Sequence, residues 1–311
     1  MVDLSIRIGE LELRNPVILA SGTCGPELAR FTDLKKIGAV ITKSVSLDPM
    51  IGNLPPRTVE VYGGMLNSIG LENPGVHQFI SQKLPEWLKL GIPVIASVAG
   101  KTKEEYIKII ERFESTAVSG FEINVSCPNV KGAEFGKDPK VLLELTREIK
   151  RATKKPVIIK LSPNVSDIQA SALAVERGGA NAVSLINTIY GLKIDLMSRT
   201  PILGNITGGL SGPCIKPVAL YYVYRASEVC KIPIIGMGGI TNTQDALEFL
   251  VVGATAIQVG TWNFVNPNIG AEIVHGIDDY CTRNGIEDIK ELMKIEHKAC
   301  SKEVKRPKLE R

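Results

Sequence analysis

The sequence predicts a single α/β domain folded as a (β/α)8 barrel, the TIM-barrel architecture, with inserted loops covering the C-terminal face of the strands. Three observations support this prediction. About eight short apolar runs recur along the 311 residues, and eight parallel strands close a barrel. Each run is followed by Gly, Ser, Asn or Pro and then by a helical pattern. No G-x-G-x-x-G follows the first run, which disfavours a doubly wound dinucleotide-binding sheet.

The predicted strands are continuous apolar runs, typical of a parallel sheet that is buried on both faces. In chain order they are PVILA (16–20), GAVITK (38–43), PVIASV (93–98), FEINVS (121–126), PVIIKL (156–161), AVSLIN (182–187), PIIGMGG (233–239) and AIQVG (256–260). Between them, apolar positions recur at three- and four-residue spacing, which indicates amphipathic helices. The predicted outer helices are 103–119, 139–153, 166–178, 216–231 and 243–252.

Two segments interrupt this alternation. Residues 48–74 separate the second and third strands and are rich in Gly, Pro and Asn, while residues 189–213 follow the sixth strand. Long excursions at the C-terminal ends of barrel strands are where ligand-covering loops are expected. We therefore predict two insertions within one domain spanning residues 1–311. The densely charged segment 298–311 is predicted to be a solvated tail.

Composition narrows the classes of function. The chain is 44% hydrophobic and 23% charged, which is typical of a globular protein and not of a disordered one. No apolar run reaches the roughly 18 residues of a membrane span, and the N-terminus lacks a signal pattern. No basic patch carries the interleaved aromatics of a single-strand-binding surface. We therefore expect a cytoplasmic protein that binds neither membrane nor nucleic acid. The six cysteines lack metal-ligand spacing, so no metal site is predicted.

Polar residues at the strand ends indicate where the chemistry occurs, because barrel active sites lie at the C-terminal ends of the strands. Glycines at 236–239 and 260 end the seventh and eighth strands, and such clusters beside a helix N-terminus suit a phosphate group. Lys43 and Lys160 each end an apolar run, where an ammonium is costly to bury without an anion. The sequence therefore predicts a ligand that carries phosphate and negative charge.

A cysteine follows the fourth strand in EINVSCPN (122–129), where Cys127 stands between Asn124 and Asn129. A thiol at a barrel mouth can be a nucleophile, a general acid or base, or inert. No histidine lies nearby in the sequence to activate a nucleophile. Acid/base use of the thiol is therefore favoured over a Cys–His acyl-transfer mechanism.

In order and spacing, these strand ends and loops resemble the class 1 dihydroorotate dehydrogenases, FMN-containing barrels of pyrimidine biosynthesis. The motifs that carry the resemblance cover nearly the whole chain and are ITKSVS (41–46), GGMLNSIGLENPG (63–75), INVSCPNVKGAEFG (123–136), IKLSPN (159–164), INT (186–188), GGLSGP (208–213), GMGGI (236–240) and VGT (259–261). The residues of the two longest motifs resemble those of the NAD-linked 1B subclass. The 1A subclass, homodimers that reduce fumarate, is the nearest alternative.

The resemblance implies a reaction and a role for each matching residue. It implies that (S)-dihydroorotate is oxidised to orotate, with Cys127 removing a proton from C5 while a hydride passes from C6 to FMN. The implied substrate-binding residues are Lys43, Asn67, Ser68, Ile69, Gly70, Leu71, Asn124, Asn187 and Thr188. The implied FMN contacts are Ser21, Lys43, Ser44, Ser97, Asn124, Lys160, Ile186, Gly212, Gly238, Gly239, Gly260 and Thr261. Among these, Lys160 is expected to stabilise the negative charge that flavin gains on reduction.

The 1B resemblance also implies a partner. Such chains work in a heterotetramer of two catalytic chains and two subunits that carry FAD and a 2Fe–2S cluster and pass electrons to NAD. This chain has neither a dinucleotide fingerprint nor cluster-ligand spacing, which agrees with that division. Two residues depart from expectation: Ser97 stands where many relatives have asparagine, and Cys24 lies in the loop after the first strand.

Other enzyme classes remain as alternatives. A phosphate-binding barrel acting as an aldolase or isomerase would use Lys160 as its Schiff-base lysine and would be colourless. A flavin barrel acting on RNA, such as a dihydrouridine synthase, would need a larger basic surface than this sequence provides. A scaffold without catalysis would not need polar residues at nearly every strand end.

Overall fold

The structure is a computed structural model that describes residues 2–125 and 135–293, and its centre is a closed barrel of eight parallel strands. In chain order the barrel strands are Val17–Leu19, Ala39–Ile41, Val94–Val98, Gly120–Asn124, Val157–Lys160, Ala182–Leu185, Ile234–Met237 and Ala256–Val259. Each strand pairs with the next, and the eighth closes on the first with Ile257 beside Val17. The predicted (β/α)8 barrel is therefore confirmed.

Amphipathic helices surround the barrel. The longer helices are Lys103–Glu114, Pro139–Ala152, Ile168–Arg177, Lys216–Ser227, Thr243–Val251 and Ile269–Arg283. Four of them begin at a side chain that accepts a hydrogen bond from the first turn, namely Thr102, Asp138, Asp167 and Asn242, as expected of N-cap residues. The five predicted helices are present, and the largest difference is at 103–119, where the helix ends at Glu114.

The first two strands are followed by shorter elements. Single 3-10 turns, Pro26–Arg30 and Leu34–Lys36, follow the first strand. Between the second and third strands, two short helices flank a π-helical turn, in the order Gly75–Gln78, Phe79–Lys83 and Leu84–Leu88. Further 3-10 turns are Pro213–Ile215, Thr261–Phe264 and Ile289–Leu292, and an antiparallel hairpin, Ile6–Ile8 with Leu11–Leu13, precedes the barrel. In the part of the chain that the structure describes, no helix is both long and apolar enough to span a membrane.

The two segments predicted as insertions pair with each other. Strands Thr58–Val61 and Gly64–Asn67 of the first segment form a hairpin. The second of these strands pairs with Thr207–Ser211, which in turn pairs with Ile189–Leu192. The result is one four-stranded antiparallel sheet built from both segments. A short ribbon, Ile194–Asp195 with Thr200–Pro201, extends the second segment.

An aromatic cluster attaches the helix layer to the fourth barrel strand. The ring of Phe113, on helix Lys103–Glu114, lies between Phe79 and Phe121, with centroid distances of 6.0 Å and 6.2 Å. Phe113 and Phe121 are fully buried, and both pairs have the edge-to-face arrangement that aromatic rings favour. The cluster therefore fixes the position of the strand that ends at Asn124.

Phe113→Ala should lower the free energy of unfolding by about 3–5 kcal/mol, because it removes a large buried side chain and leaves a cavity between two rings. Denaturant titration followed by circular dichroism measures the change. Phe31→Ala is the matched control, since Phe31 is 66% exposed and its loss should change the stability by less than about 0.5 kcal/mol. Equal effects of the two changes would contradict this account of the core.

Candidate active site

A cavity of about 270 Å³ lies at the carboxyl ends of the barrel strands, beneath the sheet formed by the two insertions. Thr58, Met65 and Asn67 line it from the first insertion, and Gly209 and Ser211 line it from the second. The structure brings most of the predicted site residues together here: Ser21, Lys43, Ser44, Asn67, Ile69, Gly70, Leu71, Asn124, Lys160, Ile186, Asn187, Thr188, Gly212, Gly238, Gly239, Gly260 and Thr261.

Two of the described predicted site residues, Ser68 and Ser97, do not line the cavity. Ser68 is buried, and its hydroxyl accepts a hydrogen bond from Asn53 Nδ2 at 2.9 Å, within the first insertion. Ser97 is also buried, and its Oγ lies 2.8 Å from Ser44 Oγ, so it supports a residue that lines the cavity. Cys127 belongs to residues 126–134, which lie outside the described residues. The binding and catalytic roles of all these residues stay predictions.

Amide side chains form a connected array across three strand ends. Asn187 Nδ2 donates to Asn124 Oδ1 at 3.5 Å, and Asn124 Nδ2 donates to Ser44 Oγ at 3.4 Å. The Asn187 amide is itself oriented, because its Oδ1 accepts the Thr188 N–H at 2.8 Å. The two longer contacts are at the weak end of the hydrogen-bond range. The array can therefore exchange these contacts for a ligand that offers both donors and acceptors.

A buried ion pair lies at the cavity wall between the fourth and fifth strands. Lys160 is 8% exposed and lines the cavity, and its Nζ lies 3.7 Å from Oε1 of the fully buried Glu122. Oε2 of Glu122 accepts hydrogen bonds from Ser184 Oγ at 3.0 Å and Gln258 Nε2 at 2.7 Å. The sequence reasoning missed Glu122 and Gln258. The sequence does contain an indication of both: Glu122 places a carboxylate inside the otherwise apolar run FEINVS, and Gln258 places an amide inside AIQVG.

The glycine-rich turn after the seventh strand forms a crowded concave wall. Gly238 and Gly239 have φ values of +128° and +75°, which favour glycine. A Cβ at Gly239 would lie 2.8 Å from the backbone nitrogen of Lys216 and 2.9 Å from the carbonyl oxygen of Gly212. The absence of a side chain therefore lets the backbone itself face the cavity, as phosphate-binding turns require.

An ion pair stabilises the turn at Gly238 and Gly239. Lys216 Nζ lies 2.6 Å from Asp245 Oδ1, and Oδ2 of Asp245 accepts hydrogen bonds from Thr241 N at 2.9 Å and Thr241 Oγ1 at 2.7 Å. The hydrogen bond to Asp245 raises the pKa of Lys216. Burial alone would raise the pKa of Asp245, but the hydrogen bonds from Lys216 and Thr241 outweigh burial, and that pKa is lowered. Both groups are therefore charged at neutral pH, and the pair supports the turn structurally.

Cys24, noted from the sequence, does not line the cavity. Its Sγ points toward the carbonyl oxygen of Ala20 at 3.9 Å. Burial, with a smaller contribution from the charge of Glu27, raises the pKa of Cys24 to about 12. A thiol that stays protonated at neutral pH is a poor nucleophile. Within residues 2–125 and 135–293, no group of three or more His, Cys, Asp or Glu side chains is placed to hold a metal ion.

Comparison with known proteins decides the family. The sequence matches the family model described as dihydroorotate dehydrogenase over residues 3–280. This chain belongs to the dihydroorotate dehydrogenase family. The resemblance seen in the motifs is thereby confirmed, and the family is one of oxidoreductases, which disfavours the aldolase or isomerase alternative for Lys160.

Relatives of this chain are similar along almost their whole length. A protein of Geotalea daltonii is 53% identical, covering 94% of this chain and 97% of its own length. A protein of Thermoanaerobacter pseudethanolicus is 49% identical, with coverage of 94% and 98%. A protein of Geobacter metallireducens is 51% identical, with coverage of 94% and 97%. All three are named dihydroorotate dehydrogenase B (NAD(+)), catalytic subunit.

Proposed function

We propose that this chain is the FMN-binding catalytic subunit of an NAD-linked dihydroorotate dehydrogenase and oxidises (S)-dihydroorotate to orotate in pyrimidine biosynthesis. The proposal rests on one observation above all. A single cavity at the strand ends is lined by two lysines, an asparagine array and a glycine turn. The names of the relatives, at about half identity along the chain, support the NAD-linked type over the fumarate-linked one.

The described residues suit both the phosphate and the ring system of FMN. The turn at Gly238 and Gly239 has no room for a Cβ and presents backbone toward the cavity, which suits a phosphate. Lys160 and Ser44 line the same cavity from the fifth and second strands, where a cation and a hydroxyl can contact a polar ring. When bound, FMN supplies the acceptor for the hydride that leaves C6 of dihydroorotate.

Dihydroorotate is an anion with ring amides, and the cavity offers matching groups. Lys43 supplies a positive charge, while Asn67, Asn124 and Asn187 each supply both an amide donor and an acceptor. Ile69, Gly70 and Leu71 add the wall of the first insertion. We propose that Ser68 shapes this wall indirectly, because its hydroxyl bonds to Asn53.

We propose Cys127 as the base that takes the proton from C5. It follows Asn124 by three positions, and that residue is fixed at the cavity edge, because Tyr106 donates its hydroxyl to the Asn124 carbonyl at 2.8 Å. A thiol with the ordinary pKa of about 8.5 is mostly protonated at pH 7. The rate of the chemical step should therefore rise with pH toward that value.

The partner subunit completes the proposal. The relatives are named as catalytic subunits, which fits a separate subunit that carries FAD and a 2Fe–2S cluster and passes electrons to NAD. We propose a heterotetramer with two chains of each kind, located in the cytoplasm. This chain would then supply the FMN site and the substrate site.

The first test is the visible spectrum of the purified chain under anaerobic conditions, before and after dihydroorotate is added. We expect a flavin spectrum that bleaches on addition, because the substrate donates two electrons to the bound cofactor. Addition of L-lactate, an anion of similar charge, is the control and should leave the spectrum unchanged. A folded chain that stays colourless when FMN is supplied would overturn the proposed function.

Cys127→Ser should keep the flavin spectrum but slow the reduction of flavin by dihydroorotate about 100-fold or more, since a hydroxyl is a much weaker base than a thiolate. Stopped-flow absorbance measures this rate. Cys24→Ser is the matched control, because Cys24 lies outside the cavity wall. An unchanged rate in Cys127→Ser would remove Cys127 from the mechanism.

Gly239→Ala should weaken FMN binding at least about tenfold, because its Cβ would displace the backbone at Lys216 or Gly212. Titration of the apoprotein with FMN, followed by flavin fluorescence, gives the dissociation constant. Gly285→Ala is the matched control: Gly285 has a similar φ of +68°, but a Cβ there would meet open space. Equal affinity in both variants would contradict a phosphate site at this turn.

A further inference from the structure

A carboxylate lies inside the barrel directly behind the cavity wall. Glu122, on the fourth strand, is fully buried and is not among the cavity-lining residues, whereas Lys160 on the fifth strand is. Their charged groups are 3.7 Å apart, from Oε1 to Nζ. Glu122 therefore does not line the ligand space itself but contacts two residues that do, Lys160 and Gln258.

Two neutral donors fix this carboxylate. Ser184 Oγ and Gln258 Nε2 donate to Oε2 of Glu122 at 3.0 Å and 2.7 Å. Glu122, Ser184 and Gln258 stand on the fourth, sixth and eighth strands, and alternate strands of a barrel contribute to one layer of interior side chains. Both donors are buried. One oxygen of the carboxylate is thus held by residues of two other barrel strands, apart from its ion pair with Lys160.

The other oxygen, Oε1, acts toward Lys160. Among the described residues Oε1 has no hydrogen-bond partner, and the 3.7 Å separation from Nζ exceeds the hydrogen-bond range. Glu122 therefore attracts the ammonium without taking up one of its three N–H donors. A buried charge is costly, and apolar residues generally fill a barrel interior at lower cost. The presence of the Glu122 carboxylate here consequently indicates a role that an apolar side chain could not fill.

We infer that Glu122 is a positioning residue for the ligand site: it holds the Lys160 ammonium at the cavity wall, facing the ligand. A lysine stem has four flexible carbons, so the fixed carboxylate behind it selects the orientation in which the charge reaches the cavity. This inference rests on the proposed function, in which the ligand at this wall is FMN. In this inference, a residue inside the barrel sets the position of the Lys160 ammonium, which the fifth strand presents to the cofactor.

The test is a double-mutant cycle on FMN affinity, with Glu122→Gln, Lys160→Met and the double variant, each measured by fluorescence titration of the apoprotein. Glu122→Gln should weaken binding about tenfold, a coupling of the size seen for contacting residues in one network. In the Lys160→Met background the same change should cause no further loss, because Glu122 acts through Lys160. A tenfold further loss in that background would overturn the inference, since Glu122 would then act independently of the lysine.

Glu144→Gln is the matched control. Glu144 also pairs with a lysine, Lys103, at 3.6 Å, but it is 63% exposed on an outer helix. Its loss should leave FMN affinity unchanged. Thermal unfolding monitors folding in every variant. If Glu122→Gln does not fold, the comparison of Lys160→Met with the double variant, which carries neither charge, still decides between the two outcomes.

The midpoint potential of bound FMN separates positioning from a simple effect of charge. A misplaced ammonium stabilises the negative charge of reduced flavin less, so Glu122→Gln should shift the potential to more negative values, as Lys160→Met does. Removal of a negative charge acting through space would shift it to more positive values, and that result would overturn positioning. A wild-type chain that fails to bind FMN would refute the proposed function, whereas wild-type binding with an unaffected Glu122→Gln would refute only this inference.

Discussion

Each strand of the barrel satisfies its backbone hydrogen bonds by pairing with two neighbours, and this requirement closes the sheet on itself. Because all eight strands run parallel, their carboxyl ends gather at one rim. Lys43, Asn124, Lys160 and Asn187 stand at or just beyond these ends, so residues far apart in the sequence share one cavity. Closure of the sheet is therefore the first requirement of the site, because it brings the individual side chains together.

The interior of this barrel is not uniformly apolar. A layer that contains Glu122, Ser184 and Gln258 replaces the branched aliphatic side chains that usually fill such a core. Hydrogen bonds satisfy one carboxylate oxygen, and the charge of Lys160 faces the other. The carboxylate and the ammonium limit each other's cost of burial. The same few residues therefore both fill the barrel interior and contact the wall of the ligand space.

The sheet that covers the cavity is also built from segments that are distant in the sequence. Asn67 of the first insertion pairs with Gly209 of the second, so one sheet closes over the rim. Neither insertion alone has more than two of the four strands, and an isolated two-stranded hairpin is marginally stable. The insertions consequently stabilise each other. Asn67, at the end of a strand of this sheet, and Ile69, Gly70 and Leu71, which follow it, line the ligand space. The glycine turn at Gly239 closes the other side, held by Lys216 and Asp245.

Local chemistry in the sequence determined the barrel class, because apolar runs, glycine clusters and helix periodicity act over a few neighbouring residues. The motifs at the strand ends carried a family resemblance that implied the site residues, and most of the described ones line one cavity. Sequence reasoning did not predict the pairing of the insertions, the hydrogen-bond partners of Ser68 and Ser97, or the ion pair of Glu122 with Lys160. Those features depend on contacts between strands that are distant in the chain, and only closure of the barrel brings such residues together.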